Sequence, residues 1–525
     1  MRSYYSHLQA VQSPGEEIAL NYKPTFRSSA IFPVLHTEHY SSKIIFMGYW
    51  LLKRHIKEIG LLYTLRSADG RLLSRKYILI NTTKAFSISL MEYNDIVTPG
   101  FTGSLELEIF STQDLVYPYP AFVLVYYGDH FSTAVHTTGR IYNDVEDLTK
   151  NEEYKVREAG FDIYGNENLS PFVAITNGAL ALQAGRIAYE VNNMEGESFQ
   201  GDFTLPPLKA YETIFLELKK YINLASLLKN KPGSIKFSHN FSGFFPRFVV
   251  GNFDLASKTI SITHSYYDSS EIKDEKSYWN RKDALFNDSS ISIPLFSGEG
   301  YYTRLAVYPI FSPSDFILSY FFYDENGQLL KKAQTVTEIK SKDNRYLQID
   351  FESILEKENI EIRKAKSVNI VCNWKEKEKI PTRVKFGLNV GKINAPALLP
   401  SNICFAPMLG NPNVLKKKGT FKWAPLVNIG QSMIVFTNSA PLKEYTSQTT
   451  VSLSFHREDD AQAITRQVQI PANGIFTIDI SSDQELADFF DSKSGWVAAQ
   501  SDTPFLNGYY FDFFENGAVC ADHIF

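Results

Sequence analysis

A short alternating segment occurs four times in the chain at nearly constant spacing. It reads FSISL from Phe86, IFLEL from Ile214, LQIDF from Leu347 and FTIDI from Phe476. These starting residues are 128, 133 and 129 positions apart, and internal repetition constrains a fold before any other property does. Apolar and polar residues alternate within the segment, which is typical of a β-strand with one buried face. The sequence therefore predicts four copies of one structural unit.

Further features recur in the same order around each copy. An apolar stretch begins 17 to 19 residues after the start of the segment, at Gly103, Gly233, Lys366 and Gly495. A wide aromatic hairpin follows it, such as FLNGYYFDFFENGAVCADH at the end of the chain. Upstream, Asp69-Gly70 and Asn326-Gly327 mark the turn of an opening hairpin in copies one and three. Such dipeptides supply the positive φ angles that tight hairpins need.

Each copy contains seven or eight short candidate strands separated by turn signals, which predicts a two-sheet sandwich. The content of 39 Phe, 30 Tyr and 5 Trp favours strands as well. Short helices are predicted after the alternating segment, at 221–229, 352–359 and 483–491. The predicted fold class is all-β, with four tandem two-sheet β-sandwich repeats of about 130 residues, long ordered linkers and few short helices.

This pattern resembles tandem immunoglobulin-like or fibronectin-like β-sandwich repeats of bacterial surface and binding proteins. The resemblance is one of architecture and covers most of residues 28–525. The Cys…Trp…Cys pattern of true immunoglobulin domains is absent. The resemblance implies a fold and supplies no function.

The repeats and the stretches between them divide the chain into six predicted parts. Sandwich repeats are predicted at 28–136, 172–264, 301–406 and 419–525, with linkers at 137–171 and 265–300. Both linkers contain aromatic residues, which disordered linkers lack, so we expect them to be ordered and to lie over the sandwiches.

Charge and cysteine content exclude several classes of protein. Lys and Arg total 53 against 58 Asp and Glu, so a nucleic-acid partner is not expected. Cys372, Cys404 and Cys520 do not have zinc-ligand spacing and are too few for a disulfide framework, so we expect buried thiols. There is no secretory h-region and no apolar run of roughly 18 residues. We expect a chain without a transmembrane segment, either cytoplasmic or exported without an ordinary signal peptide.

A histidine recurs at the end of the aromatic hairpin in three copies. These residues are His136, His264 and His523, while copy three has Pro396 to Pro400 in the corresponding stretch. Histidine beside a carboxylate can bind a metal, and it can also pack at a strand end with its ring bonded to a backbone carbonyl. Both interpretations remain open: either a single divalent metal ion bound by these histidines, or no cofactor.

The two predicted linkers begin just after His136 and His264 and bring aromatic and acidic groups with them. The predicted ligand-binding residues are His136, Tyr142, Asp144, His264, Tyr267, Asp268 and Trp279. Rings for stacking and carboxylates for hydroxyl groups suit a glycan or a protein surface, and ligand sites favour domain junctions. We therefore expect the principal site among copies one and two, with copies three and four as scaffold.

No catalytic residues are predicted, because the sequence contains no G-x-S-x-G, H-E-x-x-H or P-loop motif. The first hypothesis is a non-enzymatic tandem β-sandwich protein with a structural or ligand-binding role. The alternative is a metal-dependent enzyme acting on a sugar-like substrate at a junction between repeats. A virion or surface-appendage structural protein is the second alternative, and the oligomeric state is left open.

Overall fold

The structure, a computed structural model, describes residues 25–113, 115, 122–136, 139, 158–239, 241, 247–267, 278–279, 283–309, 315–341, 343–375, 380–381 and 384–525. Strands dominate these residues and every strand pair is antiparallel, which confirms the predicted all-β class. The strands form paired four- and five-stranded sheets, so the resemblance to tandem β-sandwiches is also confirmed.

Sandwich one contains eight strands and a short helix. They are β1 (Phe26–His36), β2 (Ser41–Met47), α1 (Tyr49–Arg54), β3 (Ile59–Ser67), β4 (Leu72–Ile80), β5 (Ala85–Ser89), β6 (Phe101–Ser111), β7 (Val123–Gly128) and β8 (Phe131–His136). One sheet has the order β1-β6-β3-β4 and the other has the order β5-β2-β7-β8.

Sandwich two repeats this arrangement. Its elements are β9 (Glu158–Tyr164), β10 (Leu169–Thr176), β11 (Gly185–Asn192), β12 (Ser198–Leu205), β13 (Thr213–Glu217), α2 (Leu224–Leu228), β14 (Pro232–His239), β15 (Val249–Asp254), β16 (Thr259–His264) and the added strand β17 (Tyr266–Tyr267). The sheets have the orders β12-β11-β14-β9-β17 and β13-β10-β15-β16.

Sandwich three carries three additional short strands. Its elements are β18 (Tyr278–Trp279), β19 (Ser289–Pro294), β20 (Tyr301–Val307), β21 (Phe316–Tyr323), β22 (Leu329–Ile339), β23 (Leu347–Asp350), α3 (Phe351–Lys357), β24 (Ser367–Trp374), β25 (Ile380–Pro381), β26 (Phe386–Lys392), β27 (Ile403–Phe405) and β28 (Met408–Leu409). The sheets have the orders β22-β21-β24-β19-β28 and β23-β20-β26-β27, and β18 pairs with β25.

Sandwich four completes the series. Its elements are β29 (Thr420–Leu426), β30 (Gln431–Asn438), β31 (Thr449–Arg457), β32 (Ala463–Ile470), β33 (Ile475–Asp479), α4 (Gln484–Phe490), β34 (Gly495–Ser501), β35 (Leu506–Phe513) and β36 (Val519–His523). The sheets have the orders β29-β34-β31-β32 and β33-β30-β35-β36.

The four alternating segments occupy the same place in each sandwich. They form β5, β13, β23 and β33. Each lies at the edge of the second sheet of its sandwich and pairs with β2, β10, β20 or β30, respectively. In β33 the side chain of Ile478 is buried and that of Thr477 is exposed, as the alternation predicts. The repeat recognised in the sequence is therefore one strand topology used four times.

A capped helical turn follows that strand in every sandwich. The N-cap side chains are those of Ser89, Asn223, Asp350 and Asp483, and each accepts a hydrogen bond from a backbone N–H in the first turn. Ser, Asn and Asp are preferred at this position because they satisfy otherwise unpaired donors. Among the described residues, no helix has the length and hydropathy needed to cross a membrane.

Consecutive sandwiches are joined by the turn of the opening hairpin. The carbonyl of Ala68 accepts a hydrogen bond at 2.8 Å from the N–H of Thr213, the first residue of edge strand β13 in the next sandwich. The carbonyls of Asn193 and Glu325 make the corresponding contacts with Tyr346 and Ile475, both at 3.0 Å. One repeated contact therefore sets the relation of each sandwich to the next.

Sandwich four also packs against sandwich one, which closes the series into a ring. The rings of Tyr49 and Trp423 stack with centroids 4.9 Å apart, and Lys43 Nζ donates to Ser494 Oγ at 2.7 Å. The hydrophobic core of sandwich one is continuous with that of sandwich four. The last strands of the sandwiches meet in the middle of the ring: β8 contacts β16 and β36, and β27 contacts the same two strands.

The structure assigns parts of the predicted linkers to the sandwiches. Residues 158–171 contain β9, the first strand of sandwich two, and residues 289–294 form β19, the first strand of sandwich three. Sequence reasoning did not find these strands because they precede the recurrent landmarks. The remainder of both linkers lies largely outside the described residues.

Candidate metal centre

The strand register places one residue from each sandwich at an equivalent position in the middle of the ring. His136 lies opposite Val123 in the β7–β8 hairpin, and His264 lies opposite Val249 in the β15–β16 hairpin. In sandwich four the equivalent residue is His523, which lies opposite Tyr509. These three histidines are called the histidine cluster below.

In sandwich three the equivalent residue by strand register is Cys404, which lies opposite Gly387. The stretch Pro396 to Pro400, which the sequence aligned with the histidines, instead belongs to the connection between β26 and β27. That connection is longer than in the other three sandwiches, so counting residues along the chain gives the wrong partner. The third copy thus supplies a thiol where the others supply imidazoles.

The histidine cluster brings together the three residues that the sequence singled out. One ring nitrogen of each histidine lies within 4.8 Å of one from each of the others. The ring centroid of His136 is 4.6 Å from that of His264 and 4.7 Å from that of His523. Residues separated by hundreds of positions therefore form one group of potential metal ligands.

Each histidine of the cluster has an oxygen atom beside its Nδ1. The Asp522 Oδ2 atom is 2.9 Å from His136 Nδ1, the Ser265 carbonyl is 2.9 Å from His264 Nδ1, and the Ile524 carbonyl is 3.0 Å from His523 Nδ1. A hydrogen bond from Nδ1–H to such an acceptor leaves the lone pair on Nε2, which can then bind a metal.

The ring of His264 has a second neighbour that requires the other tautomer. A guanidinium nitrogen of Arg247 lies 3.0 Å from the same Nδ1 atom. Guanidinium only donates, so this contact needs a lone pair on Nδ1, whereas the Ser265 carbonyl needs a proton there. The two contacts are alternatives, and metal binding through Nε2 selects the contact with Ser265.

Burial holds two of the rings in the neutral form. It lowers the pKa of His264 well below 6.5, and the charges of Arg247 and His136 add to this effect. Burial also lowers the pKa of His523 to about 4, although the nearby Asp522 carboxylate opposes the shift. Neutral imidazole is the form that coordinates metals, so both rings are ready to bind at neutral pH.

Asp522 is the carboxylate of the cluster. Burial alone would raise the pKa of its carboxyl, but the charge and hydrogen bond of His136 keep that pKa below its usual value. Its Oδ2 atom also accepts from the His136 backbone N–H at 3.2 Å, and Oδ1 accepts from the His523 N–H at 2.8 Å. Asp522 therefore orients two of the three histidines.

The donor set fits a transition metal after a modest contraction. Metal–nitrogen bonds of about 2.0–2.1 Å place tetrahedral ligands roughly 3.3 Å apart, so ligand atoms that are now up to 4.8 Å apart would have to approach each other by up to about 1.5 Å. Cys404 occupies the fourth equivalent position, but its Sγ atom is not among the ligand atoms that lie within 4.8 Å of one another. The Cys404 thiol has its pKa raised to about 11 by burial, so it remains protonated and is a poor ligand at neutral pH.

The three cysteines are free and buried, as predicted. The side chains of the other predicted ligand-binding residues lie outside the described part of the chain. Tyr142, Asp144 and Asp268 lie outside the described residues. Of Tyr267 and Trp279 only the backbone is described: Tyr267 lies in β17 opposite Glu158, and Trp279 lies in β18 opposite Ile380.

Asp522 and Arg247 are not among the site residues predicted from the sequence. Asp522 immediately precedes a recurrent histidine, and this Asp-His pair was a usable signal. Arg247 precedes β15 by two residues and carried no sequence signal at all. Copy four was expected to act as scaffold, yet it supplies both Asp522 and His523 to the cluster.

The sequence comparisons do not assign this chain to a group. No protein family matches the sequence. No curated protein is significantly similar to it. Function must therefore be argued from the geometry of the site.

Proposed function

We propose that this protein binds one divalent transition-metal ion in the histidine cluster and uses it to hold an anionic ligand. The observation that supports the proposal is the convergence of three imidazoles from three sandwiches, each with an oxygen acceptor at Nδ1. Nitrogen ligands of this kind suit zinc, copper, iron and nickel. The all-β architecture is compatible with a non-enzymatic binding protein.

An open coordination position follows from the ligand count. Structural zinc sites have four protein ligands, whereas three protein ligands leave a position for water or for a bound molecule. The cluster offers three imidazoles, and the thiol of Cys404, at the fourth equivalent position, is not among the ligand atoms that lie within 4.8 Å of one another. A metal ion held there would present that open position to a ligand.

The charges near the cluster favour a negatively charged ligand. Arg247 and Lys385 lie close enough to His264 to lower its pKa, and Lys422 has the same effect on His523. Asp522 is engaged by His136 and His523. A carboxylate or sulfate group, as on an acidic glycan, would bind the metal and face these cations.

The same ligand set supports a second candidate, a metal-dependent hydrolase. Zinc with three histidine ligands lowers the pKa of a bound water to about 7 and so makes hydroxide available as a nucleophile. The open position is the specific observation that favours this candidate. Sugar esters are the corresponding substrate class, in line with the sequence-based alternative.

The test is metal analysis of the purified full-length chain. We expect about one zinc or cobalt ion per chain after reconstitution, and loss of that ion in the His136→Ala, His264→Ala, His523→Ala triple variant. His456→Ala is the matched control, because His456 is also buried but lies outside the cluster. Equal metal content in all three proteins would disprove the proposal.

Cobalt provides the readout that separates the two candidates. Acetate or sulfate added to the cobalt form should change its visible absorption if an anion occupies the open position. Metal-dependent cleavage of p-nitrophenyl acetate, abolished by the triple variant, would support the hydrolase. Anion binding without cleavage would support the binding protein, and neither response would exclude both.

A further inference from the structure

A second polar site lies between sandwiches two and three, away from the histidine cluster. Asp162 on β9 is 2 % exposed and faces residues of the second sheet of sandwich three. The side-chain amide of Asn389 donates to its Oδ2 atom at 2.5 Å. Tyr308, Tyr346 and Asn402 also approach this carboxyl. A buried carboxylate therefore lies at the junction, surrounded by neutral polar groups.

Several oxygen atoms around Asp162 have no hydrogen-bond donor among the described residues. They are Asp162 Oδ1, Asn252 Oδ1, Asn389 Oδ1 and Asn402 Oδ1. Their residues are linked to one another, because Asn252 Nδ2 donates to the Asp162 carbonyl at 2.8 Å. Buried acceptors without donors are rare in proteins and each one destabilises the folded state. A cation is a group that would satisfy acceptors of this kind.

A small cavity adjoins these atoms. Its volume is about 10 Å³, and its lining includes Asp162, Asn252 and Asn402. A cavity of this size holds about one water molecule or one small ion. A water has two hydrogens and cannot satisfy all three lining oxygens at once, whereas a cation accepts every lone pair that faces it.

We propose that this cavity is a binding site for a hard monovalent cation of the size of sodium, with Asp162, Asn252 and Asn402 as ligands. Carboxylate and amide oxygens are the ligands that hard cations prefer. The site has one carboxylate, so a monovalent ion leaves it neutral, and a buried charge is expected to be paired. The ion would bind between sandwiches two and three and stabilise that junction.

The protonation of Asp162 and the binding of a cation are linked. Burial raises the pKa of the Asp162 carboxyl, and the surrounding hydrogen-bond donors oppose the shift. A cation at Oδ1 would favour the ionised form. This site differs from the histidine cluster in its ligands, which are oxygen atoms only, although residues 261–263 of β16, the strand that carries His264, also line the cavity.

The experiment compares the Tm of the full-length chain in sodium chloride and in choline chloride at equal ionic strength. We expect a Tm about 2 °C or more higher in sodium, because an ion that binds only the folded state stabilises it. The same difference should persist in the triple histidine variant and vanish in Asp162→Asn. Equal Tm values in the two salts, or an undiminished difference in Asp162→Asn, would overturn the proposal.

Asn402→Asp provides a second and constructive test. It adds a carboxylate to the lining of the cavity and replaces the Asn402 Nδ2 donor, which donates to the Tyr308 hydroxyl at 3.0 Å, by an oxygen that can accept from that hydroxyl. Two carboxylates match a divalent ion, so calcium should raise the Tm of this variant more than that of the wild type. If Asp162→Asn does not fold, the comparison between Asn402→Asp and the wild type tests the site instead. An equal rise in Tm with calcium in these two proteins would refute the site.

Discussion

His136 and Asp522 are 386 residues apart in the chain, yet the His136 Nδ1 atom lies 2.9 Å from Asp522 Oδ2. The contact joins the first sandwich to the last and exists only because the ring of sandwiches closes. It also sets the tautomer of His136, since an ionised carboxylate accepts the Nδ1 proton. Closure of the ring therefore also orients one imidazole of the histidine cluster.

Replacing Asp522 by Asn should weaken metal binding without removing a ligand. Carboxylates that hold a metal-binding histidine typically contribute 10- to 100-fold to metal affinity. We expect a loss of about that size, measured by competition with a chromogenic zinc chelator. Asp488→Asn is the control, because Asp488 is exposed on α4 and remote from the cluster. An unchanged affinity in Asp522→Asn would show that the carboxylate does not act through His136.

Replacing Arg247 by Met should separate the metal from its proposed anionic ligand. The guanidinium competes with the Ser265 carbonyl for Nδ1 of His264, so its loss favours the tautomer that binds metal through Nε2. Metal affinity should stay equal or rise, while the cobalt form loses its response to acetate and sulfate. Loss of the metal together with the anion would mean that Arg247 supports the fold of the site.

Truncation of Ile478 to Ala should destabilise sandwich four much more than truncation of its neighbour Thr477. Ile478 is buried, and removal of such a side chain costs roughly 2–5 kcal/mol. Thr477 is exposed, so its truncation should cost less than about 1 kcal/mol. The midpoints of urea unfolding rank the two variants, and equal midpoints would show that the facing of β33 is misassigned.

Glycine at the junction of sandwiches three and four should be intolerant of a side chain. Gly327 has a φ of 75°, and a Cβ there would lie 2.0 Å from the carbonyl of Ala472. Gly298 has a φ of 92°, and a Cβ there would have no atom within 4 Å. Substitution of Gly298 therefore measures the cost of the positive φ alone, without a steric clash. Gly327→Ala should lower the Tm clearly more than Gly298→Ala. Similar losses would indicate that strain, and not the junction, determines the effect.

Acidification should destabilise the protein in part through His456. Burial lowers the pKa of His456 from 6.5 to about 4, so the unfolded chain binds a proton that the folded chain excludes between these values. The stability from neutral burial is present above pH 6.5 and is lost as the pH falls towards 4, by at most roughly 3 kcal/mol. His456→Gln cannot titrate, so it should lose less stability than the wild type between pH 7 and pH 5. Identical losses would contradict the shift.

The sequence by itself determined the repeating unit. The alternation in FTIDI, the Asn326-Gly327 turn and the N-cap at Asp483 are local patterns, and each depends on residues close in the chain. Backbone conformation and strand facing are set largely at this range, which is why all-β sandwiches and their recurrent strands were predictable. The three histidines were recognised for the same reason, because they recur at one position of the unit.

Only the tertiary structure decided what these histidines do together. Their meeting depends on how each sandwich packs on the next, through contacts such as Ala68 with Thr213 and Tyr49 with Trp423. The proximity of Arg247 and Cys404 to the histidine cluster and the role of Asp522 also depend on that packing. Contacts between sheets far apart in sequence leave no periodic pattern in either partner, since each strand reads the same whatever packs against it. Residues close in the chain thus determine the repeating sandwich, whereas the histidine cluster forms only when the ring of four sandwiches closes.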